Sequence, residues 1–391
     1  MLEGCADRVA RALGVDLELL VLPEQVLLTD LGTGTSARVE VVKSTPGLSR
    51  LDQVMALDKL VSDIEQGLSV ADASERLDRI EAQPRRWPPW LRVVGVVLFT
   101  VGFAPSVVAT AGEVVATVVL GAVMGVLLVS LEGSRFEALT PFIGGFVLTV
   151  IAAVLLSDLV TQTGVVLVVV PALFVVVPGD YLSAAAAELI GGRITAGATR
   201  LVYAAFVLAL LVVGIAVGAE ITGGDRLLTE TPVAPSLPFL TVVLAWIPFA
   251  VGLVLAFNAP LPVLPWLIPT TIGTYLIQQG ATRLVGDITG TLVAGITLGI
   301  FAGIASKPVG RPPRLILLLG GFFVLTVGGL GLRGATALLG NDVISGFDDL
   351  TGFLVQMPTV AISLAIGLLA TERLHPRRRD GRGATTVGAG P

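Results

Sequence analysis

The sequence predicts an α-helical integral membrane protein: about ten transmembrane helices, arranged as two inverted five-helix repeats, behind a small soluble α+β domain. Composition gives the class. Of 391 residues, 54% are hydrophobic and 14% charged, against about 25% charged in a soluble globular chain. Mean hydropathy is +0.88. Hydropathy patterning gives the helix count, since ten apolar stretches each approach the ~20 residues that a bilayer requires. Internal similarity gives the repeat. Thr140 to Leu156 aligns with Thr289 to Ala305, and Val177-Pro178-Gly179 with Val327-Gly328-Gly329, both about 150 residues apart.

Residues 1–84 differ in kind from the rest of the chain. An amphipathic helix carries Val9 and Leu13 and stops at Gly14. Asp16 to Leu22, Gln25 to Thr29 and Ser36 to Lys43 read as strands, the last alternating apolar and polar residues. Leu51 to Ile64 and Val70 to Ile80 carry apolar residues at helical spacing, with Ser69 as N-cap of the second. Such a domain has a thin core and is expected to lean on the membrane part.

The boundary is Pro84-Arg85-Arg86-Trp87-Pro88-Pro89-Trp90, whose arginines and tryptophans are interfacial anchors. The expected spans are 90–108, 112–130, 139–157, 163–178 and 200–219 in a first half (85–225). In a second half (226–372) they are 238–257, 265–282, 285–305, 314–333 and 351–370. With residues 1–84 cytoplasmic, that side collects Arg85, Arg86, Arg92, Arg135, Arg193, Arg200, Lys307, Arg311, Arg314 and Arg373. The opposite side has Arg226, Arg283 and Arg333. This asymmetry puts both termini on the cytoplasmic side. Residues 373–391 read as a disordered basic tail. The opening helix is short at its N-terminal side, as if the native start lay upstream.

Several function classes are disfavoured. No basic cluster with interleaved aromatics suggests nucleic acid. One cysteine, Cys5, and one histidine, His375, give no metal or disulfide pattern, so no cofactor is expected. No Ser-His-Asp or Cys-His constellation supports an enzyme.

The candidate chemistry lies where apolar helices break. Pro178-Gly179 stops a hydrophobic run and presents Asp180 and Ser183. A break at membrane depth persists only where protein or a water-filled cavity satisfies the backbone, so an adjacent carboxylate is a candidate proton or substrate site. Asp180 is the first choice and Glu188 the next; Glu113 reads as an interface marker, and Arg283 with Asp287 as an ion-paired helix pair. Asn258 precedes Ala259-Pro260 and mirrors Ala104-Pro105. Thr271, Tyr275 and Gln278 share a helix face, either as interhelical glue or as pathway lining. Gly144 and Gly145, like Gly295-x-x-x-Gly299-x-x-x-Gly303, read as close-packing positions.

The segment VVPGDYLSAAAAELIGGRITAGATRLVYAAF, with its Pro-Gly stop and the element Gly197-Ala198-Thr199-Arg200-Leu201, resembles the threonine/serine exporter family. The N-terminal part is similar too, through Ala12-Leu13-Gly14, Leu51-Asp52 and Gly67-Leu68-Ser69-Val70-Ala71. The second half departs from it, with Gly328-Gly329 in place of Pro-Gly. The resemblance implies a secondary transporter, an antiporter that exports threonine and serine on the proton gradient. Its partners would be the amino acid, protons and the bilayer, with a homo-oligomer left open. The pathway residues would be Pro178, Gly179, Asp180, Ser183, Glu188, Arg200, Asn258, Thr271 and Gln278. Two alternatives stay open: export of a dicarboxylate such as succinate, with Arg200 or Arg193 as clamp, and a membrane scaffold or sensor with no transport.

Overall fold

The computed structural model describes residues 2–15, 17–21, 25–30, 38–43, 50–160, 162–190, 194–223, 237–306, 311–325 and 343–373. Chain order begins with α1 (Leu2–Leu13) and a three-stranded antiparallel meander, β1 (Leu17–Val21), β2 (Gln25–Asp30) and β3 (Arg38–Lys43). Leu17 faces Asp30 across the first pair and Gln25 faces Lys43 across the second. Helices α2 (Leu51–Glu65) and α3 (Val70–Glu81) come next. Arg8 of α1 binds both carboxylate oxygens of Glu65 on α2 at 2.7 Å. Arg76 and Asp63 pair at 2.6 Å between α3 and α2. Ser69 caps α3 by accepting from the Asp72 amide.

From Pro89 the chain is helical. Helices α4 (Pro89–Phe103), α5 (Ala111–Leu131), α6 (Thr140–Val154), α7 (Val165–Leu173), α8 (Gly179–Ile190) and α9 (Ile194–Thr222) form one series. The second is α10 (Phe239–Ala256), α11 (Leu264–Val285), α12 (Asp287–Ala305), α13 (Arg314–Val324) and α14 (Val343–Arg373). Short 3-10 turns, Ala104–Ser106 and Leu261–Val263, stand at matching places after α4 and before α11.

Three close helix pairs build the bundle, and glycine makes each close. A Cβ on Gly102 would run into the Phe249 backbone and one on Gly252 into that of Phe99, so α4 and α10 touch main chain to main chain. On α6 a Cβ at Gly145 would lie 2.7 Å from the Leu211 oxygen of α9. Gly295, Gly299 and Gly303 seat α12 on Ser363, Leu364 and Thr371 of α14. Packing of this kind replaces the hydrophobic drive that lipid cannot supply between helices. The outward faces are apolar instead: Val202, Phe206 and Ile221 of α9 and Leu240 of α10 are all exposed. A belt of this size fits acyl chains rather than water.

Among the described residues, six helices are long and apolar enough to cross a membrane: Pro89–Ser106, Ala111–Leu131, Glu137–Val154, Ile194–Thr222, Phe239–Ala256 and Asp287–Ala305. Of the other four expected spans, 163–178 and 314–333 hold the shorter apolar helices Val165–Val176 and Arg314–Val324, and 351–370 lies within the 31-residue α14, which includes the apolar segment Val355–Thr371. Helix α11 is 22 residues long but carries Gln278, Gln279 and Arg283. Apolar run length overstates a span wherever proline or glycine cuts the helix inside the run, as Pro178-Gly179 does. Arg283 and Asp287 are not a helix pair either. Gly286, at φ 92°, separates α11 from α12 between them, and Arg283 lies over the Phe239 ring. Gly328-Gly329, Arg193, Arg226, Lys307, Arg333 and residues 374–391 lie outside the described residues.

Candidate functional site

Helix α7 is the most enclosed element of the bundle. Every described residue from Val165 to Gly179 is buried. Nine helical residues at 1.5 Å each reach about 14 Å, roughly half the ~30 Å hydrocarbon thickness. Pro171 withholds one backbone donor, and the helix tightens into a 3-10 turn, Phe174–Val176. Val177 is extended, the Gly179 amide donates to the Val177 carbonyl at 2.8 Å, and α8 starts there. Helix α13, with 11 residues, is also short of a crossing.

The ends of these two short helices meet. A Cβ on Gly179 would lie 2.7 Å from Phe322 and 3.7 Å from Phe323, which close α13. Only a residue without a side chain lets the α7–α8 break approach this closely. Phe174 and Phe323 pack edge to face at 5.3 Å, and Phe103 stacks on Phe174 at 4.3 Å. Phe99 touches Phe174, Phe249, Phe257 and Phe323. The junction is therefore plugged by a fully buried aromatic core, a closed arrangement.

Asp180 stands in the first turn of α8 and Ser183 one turn further on; their side chains lie outside the described residues. Glu188 and Arg200 do come together. Arg200 Nη1 is 2.8 Å from Glu188 Oε1, with side chains 21% and 12% exposed. Gly197 makes this possible: its hydrogen faces the Ala185 oxygen and Leu189, so α9 lies against α8 and Arg200, one turn on, reaches Glu188. The Gly-x-x-Arg spacing thus has a geometric cause. Glu188 Oε2 is buried without a hydrogen-bond partner among the described residues, a costly state for a carboxylate oxygen unless a proton or ligand reaches it. Tyr181 and Tyr203 pack beside this hairpin, ring centres 4.7 Å apart.

The remaining sequence candidates lie elsewhere. Thr271 is buried and returns its hydroxyl to the Leu267 and Ile268 carbonyls. Gln278 donates to Thr291 of α12 at 3.3 Å, as interhelical glue. Asn258, at φ 60°, stands just past α10 and binds Asp52 of α2 at 2.9 Å, so it faces the N-terminal domain.

Two residues have roles that the sequence reading did not give them. Glu113 is fully buried, and its carboxylate accepts from the amides of Ala109, Thr110, Gln162 and Thr163 and from the Thr163 hydroxyl at 2.5–3.0 Å. It ties the start of α5 to the loop that leads into α7. Trp246 is fully buried, between Phe103, Phe249 and Tyr275, and its indole N–H has no partner among the described residues. A tryptophan in mid-span rather than at the interface was the signal available.

Residues 1–222, which take in the N-terminal domain and α4 to α9, match the family described as "Putative threonine/serine exporter". The chain belongs to the threonine/serine exporter family. It is a multi-pass membrane protein, and the family is one of exporters rather than enzymes. A "Probable threonine/serine exporter" of Mycobacterium tuberculosis is 25% identical over 97% of this chain and 74% of its own length. Proteins named "Pheromone-regulated membrane protein 10" from Eremothecium gossypii and Kluyveromyces lactis are 24% and 26% identical over 95% of the chain. The chain spans 53% and 41% of those two relatives, about half their length. No solved structure matches. The family match contains the Pro178-Gly179 break and the Glu188–Arg200 pair of this exporter-family chain, and it ends with α9.

Proposed function

We propose that this chain is a proton-driven secondary transporter that exports threonine and serine. The observation carrying this reading is the abutment of two half-length helices, with Gly179 against Phe322 and Phe323 in the buried centre. Broken helices whose ends converge in the bundle are how secondary transporters build a substrate site, because the exposed helix ends offer donors to a carboxylate and carbonyls to an ammonium. The order of elements supports two repeats. Long helix, 3-10 turn, two helices and a short buried helix recur as α4–α7 and α10–α13, and α14, with Pro358 inside it, takes the place of α8 and α9. In this reading each half supplies five spans, α7 and α13 entering as the broken ones, and five is odd, so the halves insert inversely. That gives ten spans with both termini in the cytoplasm of a bacterial plasma membrane. The division is 1–84, 85–225, 226–372 and a tail from 373.

In this reading the substrate zwitterion lies at the Pro178-Gly179 break. Asp180 or Glu188 carries the proton, Ser183 meets the substrate hydroxyl, and Arg200 holds Glu188 charged until the cycle releases it. The Asn258 and Thr271–Gln278 segments move with the second half. The succinate alternative is the weaker one, because a clamp for a dicarboxylate needs an arginine free of its own carboxylate and Arg200 is engaged by Glu188. Counterflow in proteoliposomes loaded with threonine, serine or succinate, under imposed pH gradients, is the test. Gradient-dependent threonine flux that Asp180→Asn or Glu188→Gln loses is expected. Succinate flux alone, or no flux from a folded and inserted protein, overturns the reading.

A further inference from the structure

Among the described residues, the soluble domain is stitched into the membrane part at the start of α2, and both sides of that contact are buried. Leu51, the first residue of α2, is fully buried within the same apolar core as Phe99 and Phe257. Its amide donates to the Phe257 carbonyl at 3.2 Å, so the open N-terminal end of α2 satisfies the open C-terminal end of α10. Asn258 then bridges three segments. Its Nδ2 donates to Asp52 Oδ2 at 2.9 Å and its Oδ1 accepts from the Trp87 amide at 3.1 Å. The Trp87 indole donates to the Ala259 carbonyl at 2.9 Å. Arg50 pairs with Asp52 at 2.8 Å and donates to the Gln83 and Pro84 carbonyls. Asp52 is 6% exposed and Asn258 1%. The corresponding turn of the first half has no such tie: the Ser106 hydroxyl is buried without a partner among the described residues.

We infer that the N-terminal domain is a lock on the second-half break, with Leu51 and Asp52 inserted as the bolt and Asn258 as the catch. The inference rests on the transporter reading for its purpose but not for its structure. Equivalent turns in the two halves must exchange roles in alternating access, and one of them is pinned by a separately folded unit. The pin is small and polar around one inserted leucine, the kind of interface across which domains move relative to one another. Its polar groups are mutually satisfied, so opening is discrete: Asp52 cannot lose Asn258 and stay dry without leaving a buried charge underpaired.

The test uses the full chain in lipid nanodiscs, with Cys5→Ser and Ala259→Cys, and a membrane-impermeant maleimide as probe. Ala259 is fully buried beneath the lock. Slow labelling is expected, rising about tenfold in Asp52→Asn or Asn258→Asp, the factor that losing one charge-assisted hydrogen bond gives. The swap Asp52→Asn with Asn258→Asp restores a carboxylate facing an amide, although Arg50 loses the carboxylate it pairs with, and should return labelling most of the way to the slow rate. Hydrogen exchange at the Leu51 amide, in the chain with its native residues at 52, 258 and 259, checks the seal without a cysteine. Fast labelling in the unaltered lock, rapid Leu51 exchange, or singles and swap that label alike overturn the inference. Threonine counterflow separates the two readings. Flux that rises in the single variants and falls back in the swap supports a gate, whereas unchanged flux beside tenfold faster labelling makes the domain a passive cap and refutes it. No flux in any variant refutes the transport reading, while labelling still decides the lock.

Discussion

Glu113→Gln isolates what a buried carboxylate does in this bundle. Every partner of the native side chain is a donor. Oε1 accepts from the Gln162 and Thr163 amides, and Oε2 from the Ala109 and Thr110 amides and the Thr163 hydroxyl. Glutamine has almost the same shape but replaces one acceptor oxygen with a donor. In either orientation its NH2 confronts two backbone amides; the hydroxyl can turn to accept, but the amides cannot. The Ala109 amide keeps the Thr163 hydroxyl as acceptor, and the Thr110 and Gln162 amides are only part-buried, so about one buried donor is left unmet, at roughly 1–3 kcal/mol. With an unfolding entropy of about 2 cal/mol/K per residue over a chain of this length, that lowers the apparent melting temperature by about 1–4 °C. Melting of the purified protein, followed by tryptophan fluorescence, measures it, with counterflow alongside. The damage should reach the loop before α7, so exchange should rise at the Gln162 and Thr163 amides. A variant that melts like the native protein yet loses its response to a pH gradient refutes the reasoning. In that case Glu113 titrates during the cycle rather than pinning two loops.

Gly252→Val places a side chain against the Phe99 backbone and should separate α4 from α10, giving the largest loss of folded yield among these variants, read by fluorescence-detected size exclusion. Gln278→Leu removes the interhelical bond to Thr291; a residue that serves as glue should cost about 0.6–2 kcal/mol with flux retained, whereas abolished flux at native stability makes it a pathway residue. Ser69→Ala removes the cap that accepts from the Asp72 amide and should destabilise α3 by about 1 kcal/mol, visible as faster hydrogen exchange in its first turn. Trp246→Phe deletes a buried N–H that has no partner among the described residues. Stability should hold or rise; a marked fall means that the indole is bonded in the folded protein.

Local pattern carried the helices and the breaks. Proline and glycine at 178–179 stop a helix wherever it is placed, and Ser69 caps α3 through a neighbour three residues away. The glycine ladder of α12 recurs every fourth residue because one helix face needs it, so its packing role is written in the spacing. The same holds for Gly197 and Arg200, although their purpose, bringing Arg200 to Glu188 across a helix hairpin, shows only when α8 and α9 are side by side.

Distance along the chain hid the rest. Nothing near Asn258 announces Asp52, 206 residues away, so the sequence could not show that a residue at a helix break also binds α2. Glu113 reads only as interfacial because its partners at 162–163 come from beyond the next helix. Hydropathy counts apolar residues but cannot tell a helix that crosses from one that ends halfway against another, which is why α7 and α13 resemble full spans. Composition and short-range periodicity determined that this chain lives in a membrane and where its helices bend. The tertiary structure decided which polar groups meet, because a buried hydrogen bond depends on the position of a partner that the local sequence does not contain.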